Sequence, residues 1–440
     1  MSLIKHFLLT VLFLLLVGCT APVPEPIQLP ANESALAATT RLPDASSTPA
    51  NTATPAFTLT SAPTATPTIT ATPTNVPSPT PFASGPDTYP PGVNPLTGLT
   101  VSDPALLDLP PGLVSITNSP SSARPQSGIS HAAQVFEFYI GEGATRFLAV
   151  FYGDYPPDPG LRGAPTEIGP IRSGRLHYEI LREFYGGFLV FASAMQKVRD
   201  KLKEYVIVQN PDPTTINGAY IPVAGMLEKS AEIRERANPP VLFGQRFDPQ
   251  PPLGGKPAGK IWMNYGYYAQ VFWTFDAQRG QYLRSQSDDK GSPPAPAIDR
   301  LTGAQPGFEN VIVLFTNYVR YSDVYFNIDF KYVDRWPALL FRDGQVYNIY
   351  WTTRAGAYEQ RTGKLRPIRF IGSDGKTFPL DPGHTWIELV QLHNPVYETV
   401  DSLDAYRLTN QRQPGSGVWA VIFIAPDLTE EPKYPILDEQ

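Results

Sequence analysis

Val135-Phe136-Glu137-Phe138-Tyr139-Ile140, Gly141-Glu142-Gly143-Ala144 and Thr145-Arg146-Phe147-Leu148-Ala149-Val150-Phe151-Tyr152 form the stretch that decides the fold. Two runs rich in β-branched and aromatic residues flank a glycine-rich turn, which predicts an antiparallel hairpin of strands 135–140 and 146–152. Pairing Ile140 with Thr145 places Glu137, Tyr139, Arg146 and Leu148 on one face. Glu137 then lies diagonal to Arg146, a cross-strand ion pair.

Upstream, Val114 to Thr117 reads as a further strand. Downstream, Ser173 is a candidate N-cap for a helix in which Leu176, Ile180, Leu181 and Phe184 recur at helical spacing until Gly186-Gly187. Segments 194–205 and 224–237 also read as helices, the second ended by Asn238 and Pro239-Pro240. Beyond Pro252 the pattern turns β-rich: 261–275 is aromatic, 311–318 and 324–330 alternate, 385–390 reads as a strand, and 418–424 is one more apolar run. Asp343-Gly344 joins 338–342 to 346–351 as a hairpin, and Asp374-Gly375 repeats the turn. The stretch 285–296, rich in Ser, Asp, Gly and Pro, reads as a surface loop. The expected organisation is α+β in two halves, 92–238 and 259–395, joined by 239–258 and followed by an extension, 396–440.

The amino terminus carries a different signal. Lys5-His6 precede an apolar run, Phe7 to Val17, too short to span a bilayer and typical of a secretory leader. Leu16-Val17-Gly18-Cys19 fits a bacterial lipobox, with residues 1–18 as the leader and diacylglycerol on Cys19, the only cysteine in the 440 residues. Further acylation, palmitate for example, strengthens anchoring by roughly 0.8 kcal/mol per buried methylene. The expected location is the extracytoplasmic face of a bacterial cell membrane. Residues 19–91 repeat Pro, Thr, Ser and Ala, as in Ala65-Thr66-Pro67-Thr68 and Ala71-Thr72-Pro73-Thr74, and read as a disordered, partly polyproline stalk. Its upper reach is on the order of 200 Å at roughly 3.1 Å per residue.

Using the cysteine for lipid leaves none for a disulfide, a thiolate nucleophile or a Cys-ligated metal. The histidines never stand four apart as in a zincin helix, so neither metal nor cofactor is expected. A net charge of −6 without a block of Lys or Arg disfavours nucleic acid as a partner. No Gly-x-Ser-x-Gly elbow, P-loop or EF-hand occurs, and the three Ser-x-x-Lys matches lack companion motifs.

Unusual polar residues concentrate in Ala123-Arg124-Pro125-Gln126-Ser127-Gly128 and Ile168-Gly169-Pro170-Ile171-Arg172-Ser173-Gly174-Arg175, with Glu142-Gly143-Ala144-Thr145-Arg146 between them. On these segments, on Asn94-Pro95-Leu96-Thr97-Gly98-Leu99, and on Asp381-Pro382-Gly383-His384-Thr385-Trp386, the chain resembles the YerB-type lipoproteins, a bacterial family of unknown function with two conserved domains. The resemblance covers roughly residues 94–393. It implies a layered α+β sandwich with mixed sheets and helices to one side. His131-Ala132-Ala133 stands where the family usually has Ala-Asp, and Phe191-Ala192-Ser193-Ala194 where it has Gly-Gly-Ser.

The residues themselves suggest an oxyanion site built from Arg124, Gln126, Glu142, Arg146, Arg172, Ser173 and Arg175. Guanidinium groups grip carboxylates and phosphates, and Arg172 and Arg175 flank the predicted helix start. The alternative is structural pairing, Arg146 with Glu137 and Arg172 with Glu142. For function, a binding module for an anionic envelope component, such as a peptidoglycan carboxylate or a wall-polymer phosphate, stands first. A wall-glycan hydrolase using Glu137 and Glu142 as its carboxylate pair is the enzyme alternative. An accessory protein docking on another envelope protein is the third. The aromatics Tyr265, Tyr267, Tyr268, Trp273 and Trp351 read as core rather than as a sugar-stacking platform.

Overall fold

The computed structural model describes residues 82–157, 166–212, 214–266, 269–321, 326–402 and 411–426. The leader, Cys19, nearly all of the 19–91 segment, Tyr267 and Tyr268 lie outside the described residues.

Within those bounds the chain is mostly strand, with few helices and mixed sheets. Ten of the eleven strands of the larger sheet take labels in chain order. From the first half come β1 (Gly112–Thr117), β2 (Gln134–Gly141), β3 (Ala144–Phe151), β4 (Phe188–Phe191) and β5 (Tyr205–Ile207). The smaller sheet contributes β6 (Lys260–Asn264), β7 (Gln270–Asp276) and β8 (Gln281–Gln286). The larger sheet resumes with β9 (Asn310–Thr316), β10 (Trp336–Arg342), β11 (Gln345–Thr352), β12 (Arg369–Ile371) and β13 (Thr385–Gln391). Two more strands, β14 (Val396–Glu398) and β15 (Val418–Ile422), belong to the smaller sheet.

The larger sheet runs β12-β11-β10-β9-β13-β2-β3-β1-β4-β5, with the short strand Lys256–Pro257 against β11. Its centre joins the two halves read from the sequence: β13 pairs in parallel with β2, Gln134 opposite Thr385 through Glu137 opposite Glu388. The 396–440 segment also does more than extend the chain, since β15 pairs in parallel with β6 along Lys260–Asn264.

Both faces of the central strands are covered, so they read as nearly continuous apolar runs. On one face, Phe138 packs edge-on against His177 and Tyr178 of the segment that opens helix α1 (Tyr178–Tyr185), and the Tyr185 hydroxyl reaches Gln134. On the other, Phe147 and Trp386 meet Trp273 of the smaller sheet. Helix α2 (Val223–Arg236) buries Val223, Met226, Ser230 and Ile233 at helical spacing, close to the expected 224–237.

Four local expectations are corrected. The β2–β3 hairpin pairs Tyr139, not Ile140, with Thr145, because an irregularity between Tyr139 and Gly141 takes up one residue. Gly141, Glu142 and Gly143 all have positive φ there (119°, 51° and 74°). A one-residue slip moves side chains to the opposite face, so Glu137 and Arg146 point apart, and among the described residues no ion pair joins the two. Ser173 does not cap a helix: α1 begins at Tyr178, with His177 in the cap position making no side-chain bond. The backbone of 172–174 instead bonds to Ser115, Ala192 and Ser193. Of the helix expected over 194–205 only the turn Gln196–Arg199 forms, and the β-branched run at its end becomes β5, paired with β4. The expected loop 285–296 is strand at both ends, Ser285 opposite Pro296 and Gln286 opposite Ala295.

Candidate functional site

The parallel register of β2 and β13 sets two carboxylates side by side on the face toward the smaller sheet, Glu137 and Glu388, both with no exposed surface. Strands in a sheet are roughly 4.8 Å apart, so two ionised groups here would repel strongly in a medium of low dielectric. The smaller sheet answers with a matching pair, for β7 and β8 place Trp273 opposite Arg284. Arg284 Nη2 donates to both oxygens of Glu137, at 3.1 and 2.8 Å, and Trp273 Nε1 donates to Glu388 Oε1 at 2.9 Å. Tyr265 adds its hydroxyl to Glu388 Oε2 at 2.8 Å.

Charge balance follows from these contacts. Burial, then the neighbouring Glu137 charge, push the Glu388 carboxyl up to about 8, so at neutral pH it is mostly the neutral acid. The remaining Glu137–Arg284 pair is neutral overall. The Arg284 guanidinium also lies over Trp386 and Phe147, at 4.9 and 5.1 Å from the ring centroids, where a desolvated cation is attracted by the ring faces.

The network continues to a cleft. Thr145 Oγ1 donates to Glu137 Oε1 at 2.7 Å, Asn118 Nδ2 donates to Thr145 Oγ1 at 2.7 Å, and Gln126 Nε2 donates to Asn118 Oδ1 at 3.3 Å. On the other side Arg284 Nη1 donates to Gln286 Oε1 at 2.6 Å. Gln126 and Gln286 both line a cavity of about 440 Å³, with Ser121, Arg124, Asp288 and Ser292 as its other polar residues. Pro125, Pro293, Pro296 and Ile298 are among its apolar ones.

Arg124 is fixed in that wall by two backbone carbonyls: Nε donates to Asn118 O at 3.0 Å and Nη1 to Ser287 O at 2.6 Å. Among the described residues no carboxylate lies within ion-pair distance of it. Burial, and next the Arg284 charge, lower its pKa to about 10, which leaves it cationic at neutral pH.

The other expected site residues stand elsewhere. Arg146 lies opposite Phe138 and Thr117, on the face that packs α1, and its Nη1 donates to Ser173 O at 3.4 Å. Arg172 donates to Ile216 O, Ser173 Oγ lies 2.9 Å from Ser193 Oγ, and Arg175 reaches the Gly174 carbonyl. Arg146, Ser173 and Arg175 therefore gather beside α1, while Arg124 and Gln126 belong to the cleft. Glu142 is exposed at the hairpin tip and makes no ion pair with Arg172 among the described residues. The carboxylate beside Glu137 is Glu388, not Glu142. Trp273 and Trp351 are fully buried and Tyr265 nearly so, which places all three in the core.

Arg284, Gln286 and Glu388 were not singled out from the sequence. The signal for the first two was the alternation Tyr282, Arg284, Gln286, which puts both polar side chains on the inward face with a buried tyrosine.

A family model described as the N-terminal domain of a protein of unknown function, DUF3048, matches residues 96–237, and the model of its C-terminal domain matches 261–387. The cleft is built from both matched parts. A putative lipoprotein, YerB, of Bacillus subtilis strain 168 is 26% identical over 327 residues, 69% of this chain and 88% of the relative. The crystal structure of the Bacillus subtilis YerB protein shares the fold with a TM-score of 0.51 and 23% identity, covering 68% of this chain and 96% of the other. With both domain models matched in order along one chain, this protein belongs to the DUF3048, or YerB-type, family.

Proposed function

We propose that this protein is a lipid-anchored binding protein of the bacterial cell envelope, and that the cleft at Arg124 takes an anionic group of an envelope component. The observation that carries the reading is Arg124 itself: a cation held by two carbonyls, with no carboxylate partner among the described residues, in the wall of a cavity. Charges withdrawn from solvent are usually paired, and a half-buried cation with no carboxylate within ion-pair distance, in the wall of a cleft, is suited to an incoming anion. The lipobox at Cys19 and the putative lipoprotein among the relatives support an extracytoplasmic anchor. The layered α+β arrangement expected from the sequence fits α1 on one face of the larger sheet and the smaller sheet on the other.

A glycan hydrolase is disfavoured by the burial of both Glu137 and Glu388, which no sugar can reach without parting the two sheets. The test is co-sedimentation of the full chain, in detergent, with purified cell walls, followed by mass spectrometry of the supernatant. The reading expects sedimentation that Arg124→Gln abolishes, without released fragments; released sugars or muropeptides would reverse it in favour of the enzyme. Cys19→Ser is expected to move the protein from the membrane fraction to the soluble one.

A further inference from the structure

The polar atoms that face the cleft have defined chemistry, because the network behind them removes the ambiguity of amide orientation. Gln126 Nε2 donates to Thr117 O at 3.0 Å, an oxygen that only accepts, so Oε1 is the end left over. Gln286 Oε1 accepts from Arg284 Nη1, a nitrogen that only donates, so its Nε2 is left over. Neither free end has a partner among the described residues, and neither is sealed from solvent. Arg124 keeps Nη2 after committing Nε and Nη1. From its guanidinium and amide groups the cleft therefore offers two donors, Arg124 Nη2 and Gln286 Nε2, and one acceptor, Gln126 Oε1, with Ser121, Asp288 and Ser292 nearby and an apolar wall of Pro125, Pro293, Pro296 and Ile298.

The charges at the rim select among anions. Asp288 lines the cavity and Asp289 acts on Arg124 from nearby. Backbone N–H and hydroxyl bonds from Ser292, with the Lys290 N–H, hold Asp288 in its ionised form. These carboxylates offset part of the Arg124 charge, so each further negative charge on a ligand is held less well, and a carboxylate is favoured over a doubly charged phosphate.

We propose that the ligand of this cleft is the carboxyl-terminal end of a short peptide: its carboxylate on Arg124 and Gln286, the N–H of its terminal residue on Gln126, and a small apolar side chain against the prolines and Ile298. This rests on the reading of the cleft as the binding site, and it commits to a singly charged carboxylate rather than to a phosphate of a wall polymer.

The test uses the full chain in detergent micelles and isothermal titration calorimetry with three probes: N-acetyl-alanyl-alanine, its carboxamide, and glycerol 3-phosphate. The expected result is binding of the acid, at least tenfold weaker binding of the carboxamide, and no measurable binding of the phosphate. Ile298→Glu changes only an exposed rim residue, 40% accessible, and is expected to weaken the acid at least tenfold without a change in melting temperature. Equal binding of acid and carboxamide would overturn the proposal, as would tighter binding of glycerol 3-phosphate, which leaves the general anion-binding reading standing. Co-sedimentation with walls but no response to the peptide acid also overturns it. Failure of every probe and of the walls together would remove both.

Discussion

Replacing Glu388 by Gln tests the charge assignment of the buried network. If Glu388 is the neutral acid at pH 7, the amide is nearly isosteric with it and keeps its contacts: the oxygen toward Trp273 Nε1, which only donates, and the NH2 toward the Tyr265 hydroxyl, which also accepts. The expected cost is within about 1 kcal/mol near pH 4.5, where the unfolded chain's carboxyl is still largely protonated, and by pH 7 the variant should be the more stable by about 2–4 kcal/mol. Arg284→Met is the contrast, since it removes two contacts to Glu137 and one to Gln286 and leaves a carboxylate with no cation in a fully buried site. Breaking a buried pair from one side costs about 3–5 kcal/mol. The pH dependence carries a sign of its own. Glu388 has its folded pKa raised from 4.5 to about 8, so its stabilising contribution is fully present below about 4.5 and is lost as pH rises through about 8. Asp381, also raised, to about 7, slopes the same way but is common to both proteins, so the difference curve isolates Glu388. Urea unfolding at pH 5, 7 and 9 is the assay. E388Q should gain on the wild type from pH 5 up to about pH 8 and level off above it. If E388Q instead costs as much as Arg284→Met at pH 7, or the difference is flat with pH, Glu388 is ionised in the folded protein and the reasoning fails.

Three further outcomes can be checked by the same unfolding measurements. His177 is wedged between Phe138 and Tyr178 with both ring nitrogens buried and unpartnered, and burial, then Arg175, lower its pKa to about 3. Its neutral form loses stability as pH falls from about 6.5 toward about 3, so His177→Phe should hold or raise stability at pH 7, by up to about 1 kcal/mol, and flatten the acid limb; a loss above 2 kcal/mol refutes this. Gly344→Ala should cost at least about 1–2 kcal/mol, because φ is +69° and the new Cβ would sit 2.8 Å from Phe275 Cδ1; an unchanged midpoint would show that the turn relaxes freely. Residues 82–238 and 259–440 made as separate chains should each lack cooperative unfolding, since the cut exposes β2 and β13 as long apolar edges, and mixing them should restore it; a cooperative first half alone would refute the shared sheet.

Local chemistry was legible where it was self-contained. Asp343-Gly344 turns the β10–β11 hairpin with positive φ at both residues, 52° and 69°, as that dipeptide requires. The β2–β3 hairpin was equally visible, but its register was not, because nothing in Gly141-Glu142-Gly143 says which residue the irregularity absorbs. That single step decided the partner of Glu137. Its true partner, Arg284, is 147 residues away on a strand of the other sheet, and its neighbour Glu388 reaches it only through a parallel pairing of two distant strands. Sequence proximity favoured Arg146 and Glu142, whereas the fold sends one to the opposite face and the other to solvent. Of the seven expected site residues, Arg124 and Gln126 share the cleft because the loop that holds them is tied to β1 and to the 287 carbonyl.

The cleft and the buried network are one construction. Gln126 reaches Glu137 through Asn118, whose Nδ2 stands 3.4 Å from Glu137 Oε1, and Gln286 reaches the same carboxylate through Arg284. One glutamine comes from the first matched domain and the other from the second, so Glu137 is the point at which the two walls of the cleft are fixed relative to each other. A hydrophobic pair of similar volume in place of Glu137 and Arg284 would fill the space between the sheets and avoid the desolvation of two ions, often at no loss of stability. It would not orient the amides. Hydrogen-bonded polar networks in a low-dielectric interior specify direction as well as energy, and here that direction leaves a donor on one wall and an acceptor on the other. The buried charges are thus better understood as aligning the cleft than as holding the sheets together, which the apolar contacts of Trp273, Trp386 and Phe147 already do.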